Sequence, residues 1–119
     1  MYARDNVADA SDMQQHLPGG HQVEAATDML RMLADPTRLR LMALLRDGEY
    51  DVTALVAAVG VARPAVSQHL GKLRLAGLVS VRREGRRALY RARGGHVRRL
   101  VTEVLHAASH RITGAVEHD

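Results

Sequence analysis

A chain of 119 residues, 46% of them apolar, can enclose one modest core, yet with three Tyr, no Phe and no Trp it lacks the bulk that usually fills one, and a second copy could supply the missing burial. The absence of cysteine excludes disulfides, thiolate metal sites and thiol redox switching, and the absence of a long apolar run or signal-peptide pattern predicts a cytoplasmic protein with no membrane partner. Charge is segregated: residues 1–35 carry two Arg against six acidic residues, residues 36–93 carry twelve Lys and Arg against four, and the remainder balances, so the middle of the chain is suited to nucleic acid.

Residues 1–20 are polar and end in Pro-Gly-Gly, which predicts a flexible N-terminal tail ahead of a domain spanning 21–112. His16 and His21 lie at that junction. A first helix is predicted through VEAATDMLRMLA, where Val23, Ala26, Leu30 and Leu33 share a face. DPTRLRLMALLRDG reads as a second helix, with Asp35 as cap, Pro36 in the first turn, and Leu39, Met42, Ala43 and Leu45 on the buried side. The short apolar segment DVTALVAAVG follows, capped by Asp51 and closed by Gly60.

A fourth helix, RPAVSQHLGKLRLAG, has two unlike faces. Val66, Leu70 and Leu73 recur at core spacing, Pro64 suits the first turn, and Gly77 suits the stop. The other face offers Arg63, Ser67, Gln68, Lys72 and Arg74: fork donors, a hydroxyl and an amide, the groups that pair with base edges. His69 falls on the core side and reads as structural. A short helix, a glycine-containing turn and this helix form a helix-turn-helix whose second member enters the major groove of double-stranded DNA.

Beyond Gly77 the period changes from helical to alternating, and LVSVRREGRRALYR reads as a two-stranded hairpin around Glu84-Gly85. Its arginines, Arg82, Arg83, Arg86 and Arg87, suit a wing that reaches phosphates or a narrow minor groove. The fold class is therefore mainly α with a β-hairpin wing, a winged helix-turn-helix of order α-α-α-α-β-β-α. No HExxH, nucleophile elbow or phosphate loop is present, so an enzyme is not expected.

LADPTRLRLMALL, VSQHLGKLRLAGLV and REGRRALY, in this order and spacing, resemble the ArsR/SmtB family of bacterial winged-helix regulators over residues 29–112 or so. The resemblance implies a homodimer that represses by occupying an operator and, in many members, releases it on binding metal. It places Arg63, Ser67 and Gln68 on bases and the wing arginines on the backbone.

The last segment, GHVRRLVTEVLHAASHRITG, carries a broad stripe of Val97, Leu100, Val101, Val104, Leu105, Ala108 and Ile112, wide enough for a dimer seam. His96, Glu103 and His110 recur every seven residues along its edge, drifting only ~20° per step, with His106 one turn before His110. Fourteen residues separate His96 from His110 by roughly 21 Å in one chain, so only an antiparallel pair of these helices could bring one subunit's His96 near its partner's His110. The resemblance implies a nickel- or cobalt-sensing member of the actinobacterial kind, with His118 as a ligand from a flexible tail, residues 113–119. Nitrogen and oxygen donors without sulfur also admit zinc. Gly94 and Ala107 stand where the family commonly has Asp and His. They favour an alternative: a winged-helix regulator with a degenerate metal site, controlled by a partner protein or another ligand.

Overall fold

Three aspartates start three of the helices in the same way. In the computed structural model, which describes residues 9–118 and side chains as far as Gly114, Asp9 caps α1 (Ala10–Gln15), Asp35 caps α3 (Pro36–Leu45) and Asp51 caps α4 (Val52–Val59). Each carboxylate accepts from the backbone N–H three residues on, at 3.0, 2.9 and 2.9 Å, satisfying a donor that the first helical turn leaves free. Between them lies α2 (Gly20–Leu33). The reading helix is α5 (Arg63–Leu75), the hairpin is β1 (Val79–Glu84) with β2 (Arg87–Ala92), and α6 (Gly94–His118) closes the chain. The predicted order is present, preceded by one helix more.

The two ends depart from expectation. Part of the segment read as a flexible tail is helical, because Asp9 supplies a cap that outweighs the Pro-Gly-Gly sequence downstream; residues 1–8 of that predicted tail lie outside the described residues. At the other end α6 runs on to His118, through most of the predicted tail 113–119, since nothing after Gly114 breaks it.

The core is aliphatic. Leu41, Met42 and Leu45 of α3, Leu55 of α4, Val66, Leu70 and Leu73 of α5, Leu78, Val79 and Ala92 around the hairpin, and Val97 and Val101 of α6 are all buried. Leu33 is the only buried residue of the predicted α2 face; Val23 and Leu30 are exposed. Leu41 was not among the expected core positions of α3, and Leu39 and Ala43, which were, are half-buried. The reason is that α3 is the central element, touching α2, α4, α5, α6 and β2, so more than one of its faces is enclosed.

The passage from α5 to the hairpin is a Schellman motif. Gly77 takes φ +79°, its N–H donates to the Arg74 carbonyl, and the Leu78 N–H donates to that of Leu73 at 2.9 Å, while Leu73 and Leu78 are both buried. Reading helix and wing are thereby joined through a constrained corner rather than a loose loop. The strands pair from Val79↔Ala92 to Glu84↔Arg87, so the tip is the two residues Gly85-Arg86, one further along than Glu84-Gly85. Gly85, at φ +61°, supplies the positive φ that such a short connection demands. A third rung lies beside β2: Tyr50 and Tyr90 exchange backbone hydrogen bonds of 3.0 and 2.9 Å, hooking the segment before α4 onto the wing.

Candidate nucleic-acid interface and metal edge

On α5, the buried triplet Val66, Leu70 and Leu73 turns Pro64, Ser67, Gln68 and Lys72 into solvent, with Arg63 and Arg74 at the two ends of the same exposed surface. Arg63 is not free: its guanidinium donates to Thr53 Oγ1 of α4 at 3.1 Å, linking the two helices of the helix-turn-helix through the residue nearest the reading-helix N-terminus. Gly71 lies on the exposed face between Gln68 and Leu75, with open space around it. His69 is half-buried and receives a 3.3 Å contact from Arg38, whose Nε donates to the Met32 carbonyl at 2.6 Å. It thus ties α5 to the junction of α2 and α3, in keeping with a structural role.

The wing arginines fall into two kinds. Arg82 and Arg87 lie on the strand face turned toward the segment before α4. Arg82 makes a forked bond to Glu49 (2.9–3.0 Å) and a 3.1 Å bond to Glu84; Arg87 bonds Asp51 at 3.2 Å. Arg83, on the opposite face, and Arg86, at the tip, have no ion pair among the described residues. The sequence treats all four alike and marks Asp51 only as a helix cap, with no direct sign of its bond to Arg87 or of the roles of Glu49 and Thr53. One signal was available: Glu49-Tyr50-Asp51 alternates acid, aromatic, acid, the period of a short strand.

The electrostatics follow from these contacts. The hydrogen bond from Arg82 holds the Glu49 carboxyl below its ordinary value, and Arg82 is raised in return. Asp51 is lowered first by the Ala54 N–H that it caps and then by Arg87. Asp35 is lowered chiefly by the Arg38 N–H, with the Arg38 and His69 side chains adding to it.

Along α6 the predicted residues separate. Val97 and Val101 belong to this chain's own core, because the first turns of α6 lie against α3; they are not available as a seam. Leu100 and Leu105 are half-buried, whereas Val104, Ala108 and Ile112 are exposed. An open apolar groove of about 520 Å³ runs beside them, lined in part by Leu33, Pro36, Leu39, Ala43 and Leu105. His96, Glu103, His106 and His110 are all exposed, and His96 Nδ1 accepts from Arg99 at 3.1 Å. His118 lies in the last helical turn, its side chain outside the described residues. Among the described residues no three His, Asp or Glu side chains converge as metal ligands, and no helix is long and apolar enough to cross a membrane.

A helix-turn-helix with an outward-facing set of polar and basic side chains, followed through a constrained corner by an arginine-bearing wing, defines a winged-helix DNA-binding regulator. Residues 35–81 match the model described as bacterial regulatory protein, arsR family. The HTH-type transcriptional regulator KmtR of Mycobacterium tuberculosis is 43% identical over 82% of this chain and 75% of its own length. The HTH-type transcriptional repressor SmtB of the same species is 42% identical over 71% of this chain, which spans 64% of that protein. Two solved structures superpose closely. The homodimeric winged helix-turn-helix domain of a possible ArsR-family regulator from Mycobacterium bovis has a TM-score of 0.73 at 34% identity, covering 77% of this chain and 85% of that one. HlyU of Vibrio cholerae has 0.70 at 30%, covering 76% and 97%. The chain belongs to the ArsR family of transcriptional regulators.

Proposed function

We propose that this regulator works as a two-fold dimer on operator DNA and that a metal ion, nickel or cobalt with zinc as a further option, alters its hold on the operator, most simply as a repressor that lets go. Arg63 and Gln68 read bases with Ser67, and Arg83 and Arg86 grip the backbone. The observation that carries the metal reading is the edge of α6: His96, Glu103 and His110 are all exposed, at intervals of seven, beside an apolar surface of Val104, Ala108 and Ile112 that one chain leaves uncovered. The donor set is imidazole and carboxylate, which suits these metals. A single chain does not gather it, so the fit depends on a second copy lying antiparallel. His106 and His118 are the further ligands. Gly94, Ala107 and the Arg99 contact at His96 favour the second reading, in which the metal site is degenerate and a partner protein or another ligand controls the same DNA-binding surface.

Mixed dimers test the composite site. Pairing a His96→Ala subunit with a His110→Ala subunit leaves one two-fold-related site with both ligands and the other with neither. Calorimetric titration with nickel and cobalt should find about half the metal bound at near-native affinity, and only weak binding to either mutant homodimer. Native-like metal binding by the His96→Ala homodimer would mean that each chain builds its own site, for instance from His106 and His110, and would overturn the cross-subunit site. Coupling is reciprocal, so any factor by which metal weakens operator binding must reappear as the factor by which operator weakens metal binding. Metal affinity that leaves operator affinity untouched would favour the second reading.

A further inference from the structure

The wing arginines that carry ion pairs are held by one short segment and, within the wing, by Glu84, which lies 3.1 Å from Arg82 and 3.9 Å from Arg87. Glu49, Tyr50 and Asp51 lie side by side along β2: Tyr50 is fixed there by two backbone hydrogen bonds, and the acids flanking it take Arg82 and Arg87. Asp51 does two things at once, capping α4 through Ala54 and binding Arg87, so the helix-turn-helix and the wing share one carboxylate. The carboxylate side chains of Glu49 and Asp51 are only about a quarter exposed (28% and 25%), whereas those of Arg82 and Arg87 are more than half exposed, which means that the arginines could turn to a phosphate if their partners released them.

We propose that Glu49 and Asp51 are positioning residues for DNA recognition: they latch the wing to the helix-turn-helix and withhold Arg82 and Arg87 from the phosphate backbone, leaving Arg83 and Arg86 as its phosphate contacts. The physical consequence is discrimination. Contacts between arginine and phosphate strengthen binding to every sequence alike and carry no base information, so two fewer of them per wing lower the background against which the reading helix works. Fixing the wing by two ion pairs and a strand rung also sets its angle to α5 before DNA arrives. The low protonation tendency of Glu49 and Asp51 keeps both carboxylates charged at neutral pH, as a latch requires.

This inference rests on the DNA-binding reading above, and its test keeps the two apart. A duplex enriched from a random-sequence library by the unsubstituted full-length protein is compared with a scrambled duplex of the same composition, for Glu49→Gln and for Asp51→Asn, each in a Glu84→Gln background with Glu84→Gln alone as the reference, so that Glu84 cannot retain either arginine, across 50 to 200 mM salt. Asparagine is itself a good helix cap, so Asp51→Asn removes the ion pair and spares α4; thermal melting checks that each variant is folded. Each freed arginine that reaches a phosphate steepens the salt dependence by about 0.9 in log–log slope, about 3.5-fold more loss of affinity over that range. The expected result is tighter binding to the scrambled duplex with a steeper slope, and a smaller ratio between the enriched and scrambled duplexes. Arg82→Gln, by contrast, should leave the slope unchanged. An unchanged or flatter slope in Glu49→Gln and Asp51→Asn, or a flatter one in Arg82→Gln, would overturn the latch while leaving the DNA reading intact. Failure of the unsubstituted protein to enrich any duplex would remove that reading, and the latch with it.

Discussion

Leu70 and Leu75 sit one and a half turns apart on α5 and have opposite surroundings. Leu70 is fully buried beneath the reading surface, and Leu75 is 92% exposed near the helix end. Truncating each to alanine separates the helix's seat from its chemistry. At Leu70 the loss combines the transfer free energy of the removed carbons with that of the cavity left in the aliphatic core to which it belongs; about 3 kcal/mol is expected, toward the low end of such sites. With an unfolding entropy of about 2.1 cal/mol/K per residue, this chain of 119 residues should lose about 12 °C in Tm. At Leu75 nothing is uncovered and alanine is the better helix former, so the change should stay within about 0.5 kcal/mol. Urea unfolding and thermal melts at one fixed protein concentration measure both, the latter because a dimer's Tm depends on concentration. A loss at Leu75 close to that at Leu70 would refute the reasoning, since it would mean that the end of α5 is covered in the assembled protein and that burial within one chain does not set the energetics.

Two glycines should respond oppositely to alanine. Gly60, at φ +68° with nothing near its absent Cβ, should lose about 1 kcal/mol from backbone strain alone, whereas Gly71, inside α5 and equally open, should gain about 0.5–1 kcal/mol; urea midpoints measured side by side check both, and a loss at Gly71 would contradict the helix-interior argument. For pH, the depressed Asp35 and Asp51 carboxyls contribute stability that is present above their ordinary 3.8 and lost as pH falls through their lower folded values. Asp35→Asn should therefore lower Tm at pH 7, and its gap from the unsubstituted protein should shrink progressively as pH falls below the ordinary carboxyl value; a gap that does not shrink with acid would show that the charge is not what matters.

How much of this protein was legible from sequence depended on whether the deciding physics was local. Asp35, Asp51, Gly60 and Gly77 were readable as helix boundaries because a cap or a left-handed turn is settled within four residues, and the alternating hairpin pattern and the two-faced reading helix are settled within a dozen. Partnership across the chain was not readable. That Arg82 and Arg87 belong to Glu49 and Asp51, thirty-three and thirty-six residues away, is decided only when α3, α4 and β2 pack together and Tyr50 pairs with Tyr90. The same limit explains α3, whose central place encloses Leu41 in a way that no single-face pattern announces, and α6, where one continuous apolar stripe is divided by its neighbours: α3 covers Val97 and Val101, while Val104, Ala108 and Ile112 are left exposed by the described residues. Periodicity says that a face is apolar; only packing decides which part of it is core and which part is left for a partner.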